Sequence, residues 1–513
     1  MGGLYLLDVD AWTGSAVETL RLSTKTLTTR PSDSPANTVY SGRISDSGQL
    51  ERSLFAGGGI SGSPSSSAGA IEFANADGRL DPWLGYGFDG RAFTLRYLAS
   101  EKQAIASAVL IMRGTCLRVE TPDATKTMRL LIRDRLAALD TALLTTRYAG
   151  TTITSGATAE GDADQKDEIK PRVFGAVQNI APKFVNRFNL IYQVSAGAVS
   201  SIIAYDGAVP LTLAGDHATL AALTAATLVP GQYATALGLG LFRLGGSPSL
   251  TITADVVEGA TLSLRSAARV AGRMLDVLGI PSGDRVAASF DTAHAFNPAE
   301  VGIYIDSDSS ALEAIGLVLN SVGCGLLPSA TGAIELFGFA APSGTPAATY
   351  TRRDLVDAGG SLALVGGPEG EGQGIPAWSV VLNYARVWQT MSSGDVAGVV
   401  TTERKDYLAK ATRQATAQNV ATRTARLLAS EITIDTLLMS ASDAAAEATR
   451  RLALYGVRRD RLAFPVPIAR AVDVGSVIRL QFRRFGYDGG KLFRVIGRTD
   501  DFSSRTATLD LWG

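Results

Sequence analysis

The chain is poor in histidine, cysteine and lysine. His217 and His294 are the two histidines of its 513 residues. Neither lies in a His-Glu-x-x-His helix or beside a Gly-x-Ser-x-Gly turn, so zinc-protease and serine-hydrolase signatures are missing. Cys116 and Cys324 stand apart from each other and from histidine. Their spacing builds no disulfide framework, zinc site or iron–sulfur site; both read as buried thiols of a reducing compartment, with a single bond between them left open to the fold. Lysine numbers nine against thirty-nine arginines, and 49 acidic residues bring the net charge to -1. Such a balance does not coat DNA or RNA. Long apolar runs are lacking too: Ala104–Met112 falls well short of the roughly twenty residues that cross a bilayer. The opening Met1–Asp10 has no basic segment and carries two acids, so no secretion signal is expected.

What is present is the composition of an ordered protein, 46% hydrophobic and 19% charged. A chain of this length has room for about three or four domains, each with its own core. Residues 1–150 contain short β-prone runs at Leu4–Val9, Thr38–Ile44, Ala70–Phe73, Phe93–Leu98, Ala108–Arg113 and Met128–Arg133. Turn residues separate them, as in a compact barrel or sandwich. The Gly/Ser-rich stretch 56–69 reads as a mobile surface loop. A polar, acidic junction near 150–170 leads into a β-rich unit, 151–258, interrupted by a short helix capped by Asp216.

From Thr261 the period becomes helical, and Arg265, Arg269 and Arg273 form a row that reads as a solvated face rather than an anion site. Ser310 to Glu313 has the form of a capping box, and Cys324–Phe339 that of a hairpin. These place an α+β domain at 259–370, ending in a Gly-rich linker from Ala358 to Pro376. The range 371–513 then reads as a second barrel-like unit. Its expected elements are a strand over Trp378–Trp388, a helix over Asp443–Tyr455, and closing strands at Ala463–Ile468, Val477–Phe482, Lys491–Gly497 and Ala507–Leu511. Residues 410–431 are ambiguous between helix and strand.

Chemical motifs fail on context. Gly57, Gly59 and Gly62 have dinucleotide-loop spacing, but Ser63-Pro-Ser-Ser follows instead of a helix. Gly486 to Lys491 is one residue short of a phosphate loop and no Ser or Thr follows the lysine. Asn75, Asp77 and Asp81 read as an Asx-rich turn, and Asp306 and Asp308 as acids ahead of a helix. No catalytic, cofactor-binding or metal-ligating residue is expected. Phe88-Asp-Gly-Arg-Ala-Phe is echoed by Tyr487-Asp-Gly-Gly-Lys-Leu-Phe. Each reads as a tight hairpin, and the echo suggests one β unit carried twice; Asp-Gly turns are also frequent enough to coincide.

Three stretches, Gly78–Arg91, Phe174–Asn186 with Gly231–Thr235 and Leu241–Gly245, and Leu509–Gly513, together resemble baseplate hub or tail-tip proteins of long-tailed bacteriophages. The resemblance implies a mainly β, multidomain fold in which two tube-like β-barrel domains, 1–150 and 371–513, flank inserted β-rich and α+β domains. It implies a homotrimer forming a pseudo-sixfold ring between a hexameric tail tube and a threefold tip, with a channel for DNA or tape-measure protein. Implied partners are distal tail and tube proteins and other tip proteins, with DNA only in transit and no stable membrane insertion. The implied location is the virion, assembled in the host cytoplasm. Some relatives carry an iron–sulfur cluster or a peptidase; this chain has motifs for neither. Two alternatives are a peptidoglycan hydrolase using a carboxylate pair and a receptor- or glycan-binding tip protein acting through 171–257.

Overall fold

The computed structural model describes residues 3–55, 65–123, 126–133, 136–152, 158–356, 364–366 and 376–513. The first part forms β1 (Leu4–Trp12), β2 (Val17–Ser23), β3 (Leu27–Thr28), β4 (Val39–Gly42), β5 (Ile44–Asp46), β6 (Gln49–Ser53), β7 (Ser65–Ala68), β8 (Ile71–Ala74), β9 (Ala92–Leu98), β10 (Val109–Asp123) and β11 (Thr127–Arg133). Nine of them make one sheet in the order β3-β4-β2-β1-β9-β10-β11-β8-β5. Alternation builds its buried face: Met128, Leu130 and Ile132 of β11 join Phe73, Phe93 and Leu95 in one core. β2 was not foreseen, because Glu18 and Arg21 mask its pattern on an exposed stretch. β10 continues beyond Arg113 through Gly114, where a Cβ would lie 2.2 Å from the carbonyl oxygen of Arg133; only glycine lets β10 and β11 approach there. Gly57, Gly59 and Gly62 lie outside the described residues, but the serine run after them is β7, paired with β6 rather than loose.

The next unit holds β12 (Arg172–Ile180), β13 (Lys183–Asn186), β14 (Ile191–Gln193), β15 (Ser201–Asp206), β16 (Val209–Pro210), β17 (Thr212–Asp216), α1 (Leu220–Ala225), β18 (Gln232–Ala236), β19 (Leu241–Leu244) and β20 (Ile252–Val257). With β21 (Gly302–Ile305) they form two five-stranded sheets, β16-β15-β20-β12-β21 and β13-β14-β19-β18-β17. Both sheets feed one core around Val173, Tyr192, Tyr233, Phe242 and Val256. The short helix is capped by Thr219, not Asp216. Asp216 instead accepts hydrogen bonds from Thr235 Oγ1 and the Leu237 amide.

Helices α2 (Ala267–Val277), α3 (Ala287–Phe296) and α4 (Ala311–Asn320) follow, with the hairpin β22 (Cys324–Pro328) and β23 (Ile334–Gly338). The arginine row is not merely solvated. Arg265 pairs with Glu300, Arg269 with Asp291 at 2.7 Å and Arg273 with Glu258 at 2.6 Å. The capping box at Ser310 does not form: its hydroxyl bonds to Asp140 at 3.0 Å and leaves the helix start uncapped by side chain.

The last part supplies β24 (Ala348–Tyr350), β25 (Leu364–Gly366), β26 (Ser379–Tyr384), α5 (Thr402–Ala409), β27 (Arg413–Gln418), α6 (Val420–Ala425), β28 (Glu431–Asp435), α7 (Ala441–Tyr455), β29 (Asp460–Pro467), β30 (Val477–Leu480), β31 (Lys491–Asp501) and β32 (Thr506–Trp512). Part of the Gly-rich linker is thus the edge strand β25, paired with β29. Within residues 377–455, read from sequence as part of the last β unit, β26, β28 and α7 pack against the preceding helices. Val380, Leu382, Ile432, Ala444 and Ala448 share one core with Met274 of α2 and Leu319 of α4. The reason is α7, whose face of Ala444, Glu447, Ala448 and Arg451 recurs at helical spacing and is buried. Within that core Glu447 accepts hydrogen bonds at 2.7 Å from Arg450 and Arg451. The remaining strands form a sheet in the order β24-β30-β31-β32-β29-β25, joined by β6. The fold is therefore mainly β with α+β parts, and multidomain.

Candidate functional site

The two large sheets repeat one strand order. β1-β9-β10-β11-β8-β5 in the first matches β24-β30-β31-β32-β29-β25 in the second. In each, four consecutive strands of the chain occupy positions such that the first lies beside the fourth. The third strand is long in both and slips register against the fourth, between Cys116 and Arg118 in β10 and between Val495 and Gly497 in β31. The insertions also correspond, since β6–β7 emerge between β5 and β8, and β26 through α7 between β25 and β29. One pairing differs: β1 runs antiparallel to β9, whereas β24 runs parallel to β30.

The Asp-Gly echo does not mark this repeat. Asp89-Gly90 lies between β8 and β9, but Asp488-Gly489 lies between β30 and β31, one strand later in the order. Neither is a two-residue hairpin. The Arg91 amide bonds to the Phe88 carbonyl at 2.9 Å, and the Gly490 amide to the Tyr487 carbonyl at 3.0 Å. Each turn sends its aromatic residue into the core of its own sheet, Phe88 in one and Tyr487 in the other.

Where the sheets meet, they exchange parts. β6 leaves the first unit and pairs antiparallel with β31, from Ser53 opposite Gly497 to Gln49 opposite Asp501. It continues the edge of β31 that β30 covers only from Lys491 to Arg494. In return Phe502, just past β31, enters the first core beside Tyr5, and Arg505 donates to the Tyr97 hydroxyl at 2.8 Å. Burial pushes the Tyr5 hydroxyl up to about 12, against the lowering effect of Arg505. Leu54 and Phe55, at the exit of β6, reach the α+β core, where Phe55 meets Phe339 edge-on with ring centroids 4.8 Å apart. β6 and its exit thereby join the first core to the α+β core while pairing with the second sheet.

The joint is charged as well as apolar. Arg52 on β6 is 2% exposed and spans Asp473 at 2.8 Å and Asp500 at 3.5 Å. Asp500, equally buried, also accepts from Arg498 at 2.8 Å. Arg52 and Asp500 are removed from water and balance each other, while Asp473 extends the network to an exposed carboxylate. Nothing local marked Arg52: it alternates with Glu51 and Ser53 like a surface residue.

The residues singled out from sequence are dispersed. His294 Nδ1 lies 2.8 Å from Ser266 Oγ, but Ser266 is fully buried at the start of α2 and its hydroxyl donates to the Ser263 carbonyl. The backbone amide of His217 is held by the Thr235 carbonyl. Cys116 and Cys324 are separate buried thiols, each pushed up to about 12 by burial. Asn75 bonds Asp81, while Arg43 forks onto Asp77 at 2.8 and 2.6 Å and holds its carboxyl well below the usual range. Asp308 pairs with Arg147 at 3.1 Å, and Asp306 lines a cleft of about 750 Å³ with Tyr304, Glu313 and Trp388. Among the described residues no three His, Cys, Asp or Glu side chains gather to hold a metal ion, and no helix is long and apolar enough to cross a membrane.

No family model and no curated protein matches the chain. Solved structures do. It is similar to the 43 kDa tail protein of prophage MuSo2 from Shewanella oneidensis, at 9% identity and a TM-score of 0.42 over 100% of this chain and 96% of that one. It is similar to the tail protein from Neisseria meningitidis MC58, at 10% identity and a TM-score of 0.39 over 100% and 97% of the two chains. A chain in the virion of a native gene transfer agent particle is similar at 15% identity and a TM-score of 0.43, over 73% of this chain and 91% of that one.

Proposed function

We propose that this chain is a structural protein of a phage-type tail, acting as the hub of its baseplate. Three copies form a ring in which six similar sheets alternate, joining a hexameric tail tube to a threefold tip. The observation that carries this reading is the strand order found twice in one chain, β1-β9-β10-β11-β8-β5 and β24-β30-β31-β32-β29-β25. A protein that must offer six comparable edges from three subunits needs two copies of one architecture in each. It also needs them held in fixed relation, which is what the exchange of β6 and Phe502 provides. The sequence resemblance supports the same assignment: its stretches lie between β8 and β9 and on β12–β13, β18, β19 and β32, in the first, middle and last units.

In this role the partners are tube and distal tail proteins on one side and tip proteins on the other. The lumen admits DNA or a tape-measure protein, and a net charge of -1 gives the passing polyanion little to adhere to. Solution mass measurement followed by electron microscopy of the purified chain tests the proposal. The expected result is a closed ring of three copies with six similar peripheral densities. Dimers, or open filaments without closure, overturn it.

A further inference from the structure

Between α6 and β28 the chain forms a tip that is apolar and uncovered. Leu427 is 92% exposed, Leu428 78%, and Val420 at the start of α6 66%. The tip is built, not loose. Asn419 caps α6 with its side chain, the Asn419 amide bonds to the Trp378 carbonyl at 2.7 Å, and the Trp378 amide to the Ser430 carbonyl at 3.0 Å. The Ala429 amide closes the turn on the Arg426 carbonyl at 2.9 Å. Arg423, stacked 4.6 Å over the Trp378 ring, and exposed Arg426 make the tip basic. Scattered exposed leucines are ordinary, but an adjacent pair held out on an ordered, basic turn is what an interface presents.

The opposite end of β26 leads to the 750 Å³ cleft. Arg386, Trp388 and Gln389 line it together with Tyr304, Asp306, Glu313 and Leu317. Its size lies within the range of about 300–1,000 Å³ typical of sites that enclose a ligand. Arg386 lies over the Trp388 ring, 4.3 Å from its centroid, and keeps its charge there as Arg423 does over Trp378. Asp306 and Glu313 are exposed and, among the described residues, carry no ion pair. The two carboxylates outnumber Arg386, so the cleft keeps one negative charge in excess, opposite in sign to the tip, and both share apolar character. They sit at the two ends of a six-residue strand, about 20 Å in length. Two complementary surfaces at opposite ends of one element join copies head to tail, the arrangement that closes rings.

We propose that Leu427 and Leu428 of one copy seat in the cleft of the next, with Arg426 facing Asp306 and Glu313, and that this is the join of the trimer. The inference rests on the trimeric reading above and adds the contact that makes it. Its test is a cysteine pair, Leu428→Cys with Glu313→Cys; the native Cys116 and Cys324 are both buried and give little background. Oxidation should yield a covalent ladder ending at three copies on a non-reducing gel, whereas each single variant stops at dimers. Leu427→Asp with Leu428→Asp should raise the trimer dissociation constant roughly tenfold or more while leaving the melting temperature unchanged at concentrations where both chains are monomeric, because these side chains support nothing in their own copy. Arg426→Glu should weaken assembly, and Glu313→Arg in the same chain should restore it. A trimer by mass that gives no ladder and ignores the double Asp variant overturns this contact and leaves the trimeric reading standing. A chain monomeric at every concentration, without a ladder, overturns both. Flotation with anionic vesicles that is lost in the double Asp variant, with no change in mass, assigns the tip to a membrane and overturns the proposal.

Discussion

The rings of Phe502 and Tyr5 meet 5.9 Å apart, centroid to centroid and tilted by 60°, although one follows the penultimate strand of the second sheet and the other lies on the first strand of the first. Both are buried. The pair fastens the two sheets on the side opposite in sense to β6: each sheet has given the other something it cannot replace locally. Phe502→Ala should cost about 3–5 kcal/mol, since the cavity opens between two units that cannot collapse on it independently. Urea unfolding checks this; a loss under about 1 kcal/mol would mean the sheets are held by β6 alone.

Arg52→Met tests the charged half of the joint. It removes a cation from between Asp473 and Asp500 and leaves Asp500 with Arg498 as neighbour. Breaking a buried ion pair costs about 3–5 kcal/mol, and the retained arginine puts this case near the lower figure. Hydrogen exchange should show the β6 amides losing protection before those of β9 or β32. Uniform loss across both sheets would show that β6 does not act as a separate fastening.

Glu447 predicts an acid limb. Burial works to raise its carboxyl, Arg450 and Arg451 outweigh that effect, and the group titrates below the ordinary 4.5. A carboxylate depressed in the folded state stabilises fully above its unfolded value, and the contribution is lost as pH falls through the folded one. Melting temperature should therefore drop below about pH 4.5 in the native chain. Glu447→Gln should flatten that limb and melt lower at neutral pH, where Arg451 is left buried without its counter-charge. An unchanged limb in the variant would assign it to other carboxylates.

Gly114→Ala places a methyl 2.2 Å from the Arg133 carbonyl oxygen and 3.0 Å from the Phe93 ring. The β10–β11 ladder must part locally, at a cost of about 1–3 kcal/mol. Circular dichroism melts read it directly; a neutral result would show that β10 can slide in its bulge.

The central strands of the first sheet and helix α7 were readable because side-chain period reports the buried face: Met128, Leu130 and Ile132 at spacing two, Ala444 and Ala448 at spacing four. Helix α3 was not, since only Phe290 and Ala293 of its residues are buried and no stripe forms. β26 alternates as a strand of the last sheet would, and nothing within it tells which helix will cover it. The repeat was suggested by an echo on the wrong turns. The real correspondence is one of backbone ladders, whose hydrogen bonds are indifferent to side-chain identity, so Ile71–Ala74 and Asp460–Pro467 can hold the same place without sharing a sequence. The joint stayed hidden for a related reason: Arg52 is an unremarkable strand residue until β31 arrives beside it.

That lateness governs how the molecule comes into being. The Ser53 hydroxyl bonds to the carbonyl of Ile496 across 443 residues, so β6 waits through nearly the whole of translation with its outer amides facing water. At 5–20 residues per second, that is roughly 20 to 90 seconds in which a nascent chain displays an unclaimed edge. A polypeptide cut short before Lys491 never covers it. Synthesis through β31 is thereby a condition of closing this joint, enforced by the order in which the strands are made.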